Sequence, residues 1–143
     1  MAQRTAEVIW GGSLLEGSGT ATMVSSGAFG EFPVTWASRA EEPGGKTSPE
    51  ELLAAAHAAC YAMALSHHLA GQGMPPERLR VTATYTFVPG TGITTVGLDV
   101  SGSIPGLSSS GEFNELAKEG EQGCPVSNAV RGNVQINLTA SLD

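Results

Sequence analysis

Over the first 39 residues the hydrophobic positions fall in short β-favouring runs, Thr5–Trp10, Thr20–Val24 and Pro33–Arg39, which alternate with glycine-rich breaks at Gly11-Gly12 and Ser25–Gly30. Such runs between turn residues predict an antiparallel meander. Glu41–Thr47 carries a proline and two glycines and reads as a loop. Ser48-Pro49-Glu50-Glu51 then has the signature of a helix start, with Ser48 as N-cap, Pro49 at N1 and Glu51 closing a capping box at N3. From Glu50 to about Ala70 the chain is rich in alanine and leucine, and Gly71 is the expected stop. Small residues cover nearly every face of the first half of this helix, which predicts burial in the middle of the molecule or against a symmetry mate. Val81, Ala83, Tyr85 and Phe87 alternate with threonines in Arg80–Val88, and Ile93–Ser103 follows after Pro89-Gly90-Thr91-Gly92, as in a hairpin. Ser110–Gln122 reads as a helix with Phe113, Leu116 and Ala117 inward and Gly123 as its end. Cys124-Pro125 opens a short helical turn to about Val130, and Asn133–Leu142 alternates as a final strand. The order β-β-β-α-β-β-α-α-β, without internal repeat or linker, indicates an α+β fold.

Composition narrows the class. With 143 residues, 41% of them hydrophobic, the chain is expected to form one domain over 1–143 with a real core, and 19 glycines imply many turns. Fourteen acidic against seven scattered basic residues leave a net charge of −7, so no basic patch is present to neutralise phosphates and nucleic acid is not expected as a partner. The N-terminal MAQRTAEVIW has no apolar signal region, and no apolar run approaches the roughly 18 residues of a membrane span. A soluble, cytoplasmic protein is expected. In such a compartment the two cysteines, Cys60 and Cys124, are expected to be catalytic, redox-active or inert rather than a permanent staple.

Cys60 lies mid-helix among small apolar residues, where a thiol often serves only as a small hydrophobe. Cys124 follows a helix-ending glycine and precedes Pro125, a place where a thiol meets backbone donors. His57, three residues before Cys60, faces it on a helix. A zinc site from His57, Cys60 and Cys124 would need a further ligand and lacks close cysteine spacing. Arg39 is expected to end the third strand, where most arginines are simply solvated. Glu51 is accounted for by capping, which leaves Glu50 as the carboxylate with a role to spare.

GKTSPEELLAAAHAACYAMALSHHLA, followed 64 positions after Cys60 by CPVSNAVRGNV, resembles the OsmC/Ohr family of osmotically inducible and organic hydroperoxide resistance proteins, over nearly the whole chain from Trp10 to Leu142. HAAC is similar to the OsmC branch, which is favoured, and SNAVRGN to the Ohr branch. The resemblance implies an intertwined homodimer with antiparallel sheets around central helices and active sites at the interface. It matches Cys60 to the peroxidatic cysteine, Cys124 to the resolving one, Arg39 to the strand arginine and Glu50 to the glutamate that pairs with it. The implied partners are an organic hydroperoxide and a dithiol or lipoyl-bearing protein as reductant, with no metal, haem or flavin.

A cysteine of ordinary pKa is about 3% thiolate at neutral pH, so ionisation alone gives at most about 30-fold in rate. Heterolysis of the O–O bond places charge on the departing oxygen, where a fixed arginine can donate, and a carboxylate can orient that arginine through a bidentate pair. If the helix from Pro49 is continuous, Glu50 and Cys60 lie roughly 15 Å apart along its axis, and the carboxylate would have to come from a partner chain. Leu53, Met63 and Phe113 are expected to line an apolar site at that interface. Two alternatives are a small-ligand binding module with inert cysteines and a zinc-dependent hydrolase.

Overall fold

The computed structural model describes residues 1–143 as two compact units, Met1–Leu52 and Leu53–Asp143. The chain is α+β, in the order β1 (Glu7–Gly11), β2 (Ser18–Thr22), β3 (Glu31–Val34), α1 (Trp36–Ala40), α2 (Pro49–Gly71), β4 (Arg78–Val88), β5 (Gly92–Ser103), α3 (Ser110–Gln122), α4 (Pro125–Val130) and β6 (Gln135–Leu142).

In the first unit β1, β2 and β3 form the expected antiparallel meander, with Ile9 opposite Thr20 and Ala21 opposite Phe32. The third run is shorter than its sequence suggests. Pro33–Arg39 does not continue as a strand: β3 stops at Val34 and Trp36–Ala40 is a helical turn. Thr35 caps that turn by accepting from the Ser38 N–H at 3.1 Å, while the Ser38 hydroxyl accepts from the Thr35 N–H at 3.0 Å. These reciprocal bonds satisfy two amides that a strand would have left to a neighbour. The Thr47 N–H donates to the Pro33 carbonyl at 3.1 Å, which returns the loop to β3 and sets up the start of α2.

Ser48 caps α2, accepting from the Glu51 N–H at 3.1 Å, and Pro49 opens the helix. Glu51 does not close the expected box. Its carboxylate instead takes the Thr47 hydroxyl at 2.6 Å.

The second unit is built on the sheet β4-β5-β6. Strands β4 and β5 form the hairpin, while β5 and β6 run parallel, with Leu98 beside Leu138. A parallel neighbour cannot follow through a tight turn, so α3 and α4 serve as the crossover. Tyr61, Leu65 and Leu69 of α2 are fully buried with Val96, Leu98, Val100, Phe113 and Ala117. Beyond Glu50 in its first turn, the buried residues of α2 form the stripe His57, Tyr61, Leu65 and Leu69, whereas Ala55, Ala56 and Ala59 are exposed and Met63 is 71% exposed. The even apolar surface that predicts complete burial is thus only partly covered within one chain. Gly120 lets α3 approach α2 closely, because a Cβ there would stand 2.8 Å from Leu65 Cδ1 and 3.1 Å from Leu65 Cα. The Tyr61 hydroxyl donates to the Ala117 carbonyl at 2.9 Å across the same contact.

Candidate active site

Each unit assembles its own polar cluster. In the first, Arg39 at the end of α1 meets Glu50 in the first turn of α2. Arg39 Nε lies 3.0 Å from Glu50 Oε1 and 3.2 Å from Oε2, and Nη2 lies 2.8 Å from Oε1. This pairing along one edge of the guanidinium fixes the plane of the arginine as well as its position. Glu50 is 8% exposed at its side chain and Arg39 31%, so the carboxylate is the anchor and the cation its more accessible partner. Arg39 is brought there by a helical turn rather than by a strand end.

Arg39 also borders a cavity of about 330 Å³ within this unit, whose wall is mostly apolar and includes Trp10, Leu14, Val34, Trp36 and Leu52. Of the residues expected to line an apolar pocket at an interface, Phe113 has no such place in this chain. Phe113 is fully buried in the core of the second unit, and Met63 is exposed.

In the second unit α2 carries Cys60, and the Gly123 end of α3 delivers Cys124 as the N-cap of α4, accepting from the Ser127 N–H at 3.5 Å. Pro125 at N1 fixes the turn without an amide to satisfy. Both cysteines are thiols, Cys124 fully buried and Cys60 partly so. Cys124 and the backbone of Val126 both lie close enough to Cys60 to act on its thiol. Burial pushes the Cys60 pKa up, the Val126 amide pulls it down, Cys124 pushes it up again, and the net shift is upward. This unit therefore holds Cys60 as a thiol.

His57 is a residue whose role the sequence leaves open. It is fully buried, with Nδ1 2.8 Å from the Tyr85 hydroxyl and Nε2 2.7 Å from Ser127 Oγ. Burial lowers its pKa, with Glu121 opposing, so the ring is neutral. With both nitrogens engaged by hydroxyls, His57 has none to offer a metal in this arrangement. Tyr85 and Ser127 have no role in the sequence reading beyond strand alternation and a position in CPVS. Their one signal is spacing, for Ser127 follows Cys124 by the interval that separates His57 from Cys60. Arg131 donates to buried Glu121 at 2.7 Å and closes α4 against the end of α3.

The sequence and fold are shared with known proteins. The OsmC-like protein family model matches residues 42–139. Peroxiredoxin OsmC of Escherichia coli is 34% identical over 131 residues, covering 90% of each chain. The organic hydroperoxide resistance protein of Xanthomonas axonopodis pv. citri is 32% identical over 99 residues, covering 67% of this chain and 68% of the relative. Among solved structures, an organic hydroperoxide resistance protein from Elizabethkingia anophelis with thiocyanate bound matches with a TM-score of 0.72 and 28% identity, covering 99% of each chain. The chain belongs to the OsmC/Ohr family.

Proposed function

We propose that this protein, a cysteine-based peroxidase of the OsmC/Ohr family, reduces organic hydroperoxides to alcohols in oxidative or osmotic stress defence, with Cys60 as the peroxidatic and Cys124 as the resolving cysteine. The observation that carries the reading is that two free thiols are gathered at one core, Cys60 of α2 packing against the cluster that contains Cys124 and lying close enough to feel it. In the first step the Cys60 thiolate attacks the outer oxygen of the hydroperoxide, the O–O bond breaks, and the alkoxide takes a proton and leaves as the alcohol. Cys60 becomes a sulfenic acid. Cys124 condenses with it, water leaves and a disulfide forms. A dithiol, free or as a lipoyl group on a protein, exchanges with that disulfide and restores both thiols.

Since its own unit holds Cys60 protonated, a cation has to be supplied for the reaction. Arg39 is assigned that role, with Glu50 holding its plane. The same guanidinium then donates to the leaving alkoxide. The apolar wall beside Arg39 suits an alkyl or aryl substituent, since each buried methylene contributes about 0.8 kcal/mol. A homodimer is assigned as the working form, with the Arg39–Glu50 pair of one protomer serving Cys60 of its partner. The exposed alanines and Met63 of α2 support it, as do the exposed Val8, Ile9 and Trp10 of β1. The test is consumption of tert-butyl hydroperoxide with a dithiol in the presence of a chelator, with thiols counted after one equivalent of oxidant. Loss of both thiols of a chain to an intrachain disulfide is expected. An absence of peroxide consumption, with both thiols intact, would return the cysteines to an inert role.

A further inference from the structure

His57 stands three residues before Cys60, and Ser127 three after Cys124. Both are fully buried, and the 2.7 Å bond between His57 Nε2 and Ser127 Oγ joins α2 to α4. Ser127 is also the residue whose backbone N–H holds Cys124 Sγ. Its side chain and its amide thus tie the cysteine-bearing turn in two directions. Behind His57, the Tyr85 hydroxyl on β4 fixes the second ring nitrogen, so the imidazole can neither turn nor flip without losing a buried partner. Of the charged groups nearby, Glu121 acts on the ring from the end of α3, and Arg131 neutralises Glu121.

We propose that His57 is a positioning residue of the resolving step: through Ser127 it holds Cys124 within reach of Cys60, so that the disulfide forms before a second peroxide arrives. This rests on the peroxidase reading above. In the step itself the Cys124 sulfur attacks the Cys60 sulfur, the S–S bond forms and the S–O bond breaks. The departing hydroxide leaves as water with the proton given up by Cys124, and no further oxidant or reductant is required. The competing reaction is oxidation of the sulfenic acid by a second hydroperoxide to the sulfinic acid. A loosened Cys124 shifts the partition toward that product.

The experiment uses the full-length protein and the variants Ser127→Ala, His57→Phe and His57→Gln. Each reduced protein is mixed with one and with ten equivalents of cumene hydroperoxide, and sulfenic acid, disulfide and sulfinic acid are followed by rapid quench and mass spectrometry. Ser127→Ala and His57→Phe are expected to slow disulfide formation at least tenfold while sulfenic acid forms within threefold of the wild-type rate. Sulfinic acid should accumulate at ten equivalents. His57→Gln, whose amide can reach Ser127, is expected to recover most of the loss, which a role in filling core volume alone would not give. A second measurement needs no peroxide. In a dithiol redox buffer, Ser127→Ala is expected to weaken the Cys60–Cys124 disulfide about tenfold, or about 30 mV for this two-electron couple. Wild-type protein that shows this redox difference but consumes no peroxide would overturn the peroxidase reading and leave the tie standing. Unchanged partition and unchanged redox equilibrium in the variants, or equal slowing of both steps without recovery in His57→Gln, would overturn the tie. If Ser127→Ala does not fold, the two His57 variants carry the same comparison.

Discussion

Met1–Leu52 has Ala21 as its one fully buried apolar side chain, alongside buried Ser38 and Glu50, whereas Leu53–Asp143 buries eleven apolar residues around Leu65, Leu98 and Phe113. The first unit leaves Val8, Ile9, Trp10, Leu14 and Leu15 exposed and keeps its order through caps, turns and the Arg39–Glu50 pair. The second is a packed body in which buried His57 and Ser127 bond to each other, to the half-buried Tyr85 hydroxyl and to the Cys124 sulfur. The contrast assigns different vulnerabilities. Changes in the second unit act through packing and thiol geometry. In the first they act through a charged pair and an apolar surface that a single chain does not cover.

The largest expected effect lies in the packed unit. Cys60→Ser should abolish hydroperoxide reduction, while Cys124→Ser should complete one turnover and then fail to cycle with a dithiol. Equal inactivity of both variants in a single-turnover assay would remove the division of roles between the thiols.

Next comes the cavity of the first unit. Four carbons held against its apolar wall contribute about 3 kcal/mol, or roughly a hundredfold. Tert-butyl, cumene or fatty-acid hydroperoxides are therefore expected to exceed hydrogen peroxide in kcat/KM by that order, and Trp36→Ala should reduce the advantage. Equal efficiency for hydrogen peroxide would show that the cavity takes no part in substrate choice.

Arg39→Lys and Glu50→Gln sharpen the contrast further. The first keeps charge without the fork, and the second keeps shape without the ion pair, so each is expected to cost at least tenfold in rate with the circular dichroism spectrum intact. Wild-type rates in both would leave the pair as a tie between α1 and α2 alone.

The smallest effect is a dependence of stability on pH in the second unit. Burial lowers the His57 pKa below 6.5, with Tyr85 and Ser127 as hydroxyl partners and Glu121 opposing. Below about pH 6.5 the unfolded chain takes up a proton that the folded state refuses, so stability falls with pH until the lowered folded value is passed. Urea midpoints measured from pH 8 to pH 5 should show this slope in the wild type and a flatter profile in His57→Gln. Identical slopes in the two proteins would place the acid sensitivity elsewhere.

The packed unit was also the more legible in sequence. Ser110–Gln122 and Pro125–Val130 read correctly because Gly123, Cys124 and Pro125 punctuate the chain with strong local chemistry. The alternation of Arg80–Val88 was equally plain. What escaped depends on local competition or on distant partners. Pro33–Arg39 carries Val34, Thr35 and Trp36, all strand formers, but the reciprocal Thr35–Ser38 bonds favour a turn, and a Thr-x-x-Ser signature was there to be read. Glu51 was claimed by Thr47 because a hydroxyl one position before the cap competes with the cap's own amide. The parallel pairing of β6 leaves no trace in alternation, since a strand looks the same in either direction. His57 was singled out, but its partners lie 28 and 70 residues away, and no spacing rule spans such distances.

The crossover between β5 and β6 has a consequence for assembly in time. Cys60 and the β4–β5 hairpin can be ordered through contacts between near neighbours in sequence, whereas Cys124 lies inside the segment that must loop over before β6 can pair with β5. Closing that segment is the non-local event of this unit and the slower one. If α2 orders before that closure, Cys60 stands on its helix without Cys124 beside it, and a sulfenic acid formed at that stage has no resolving thiol at hand.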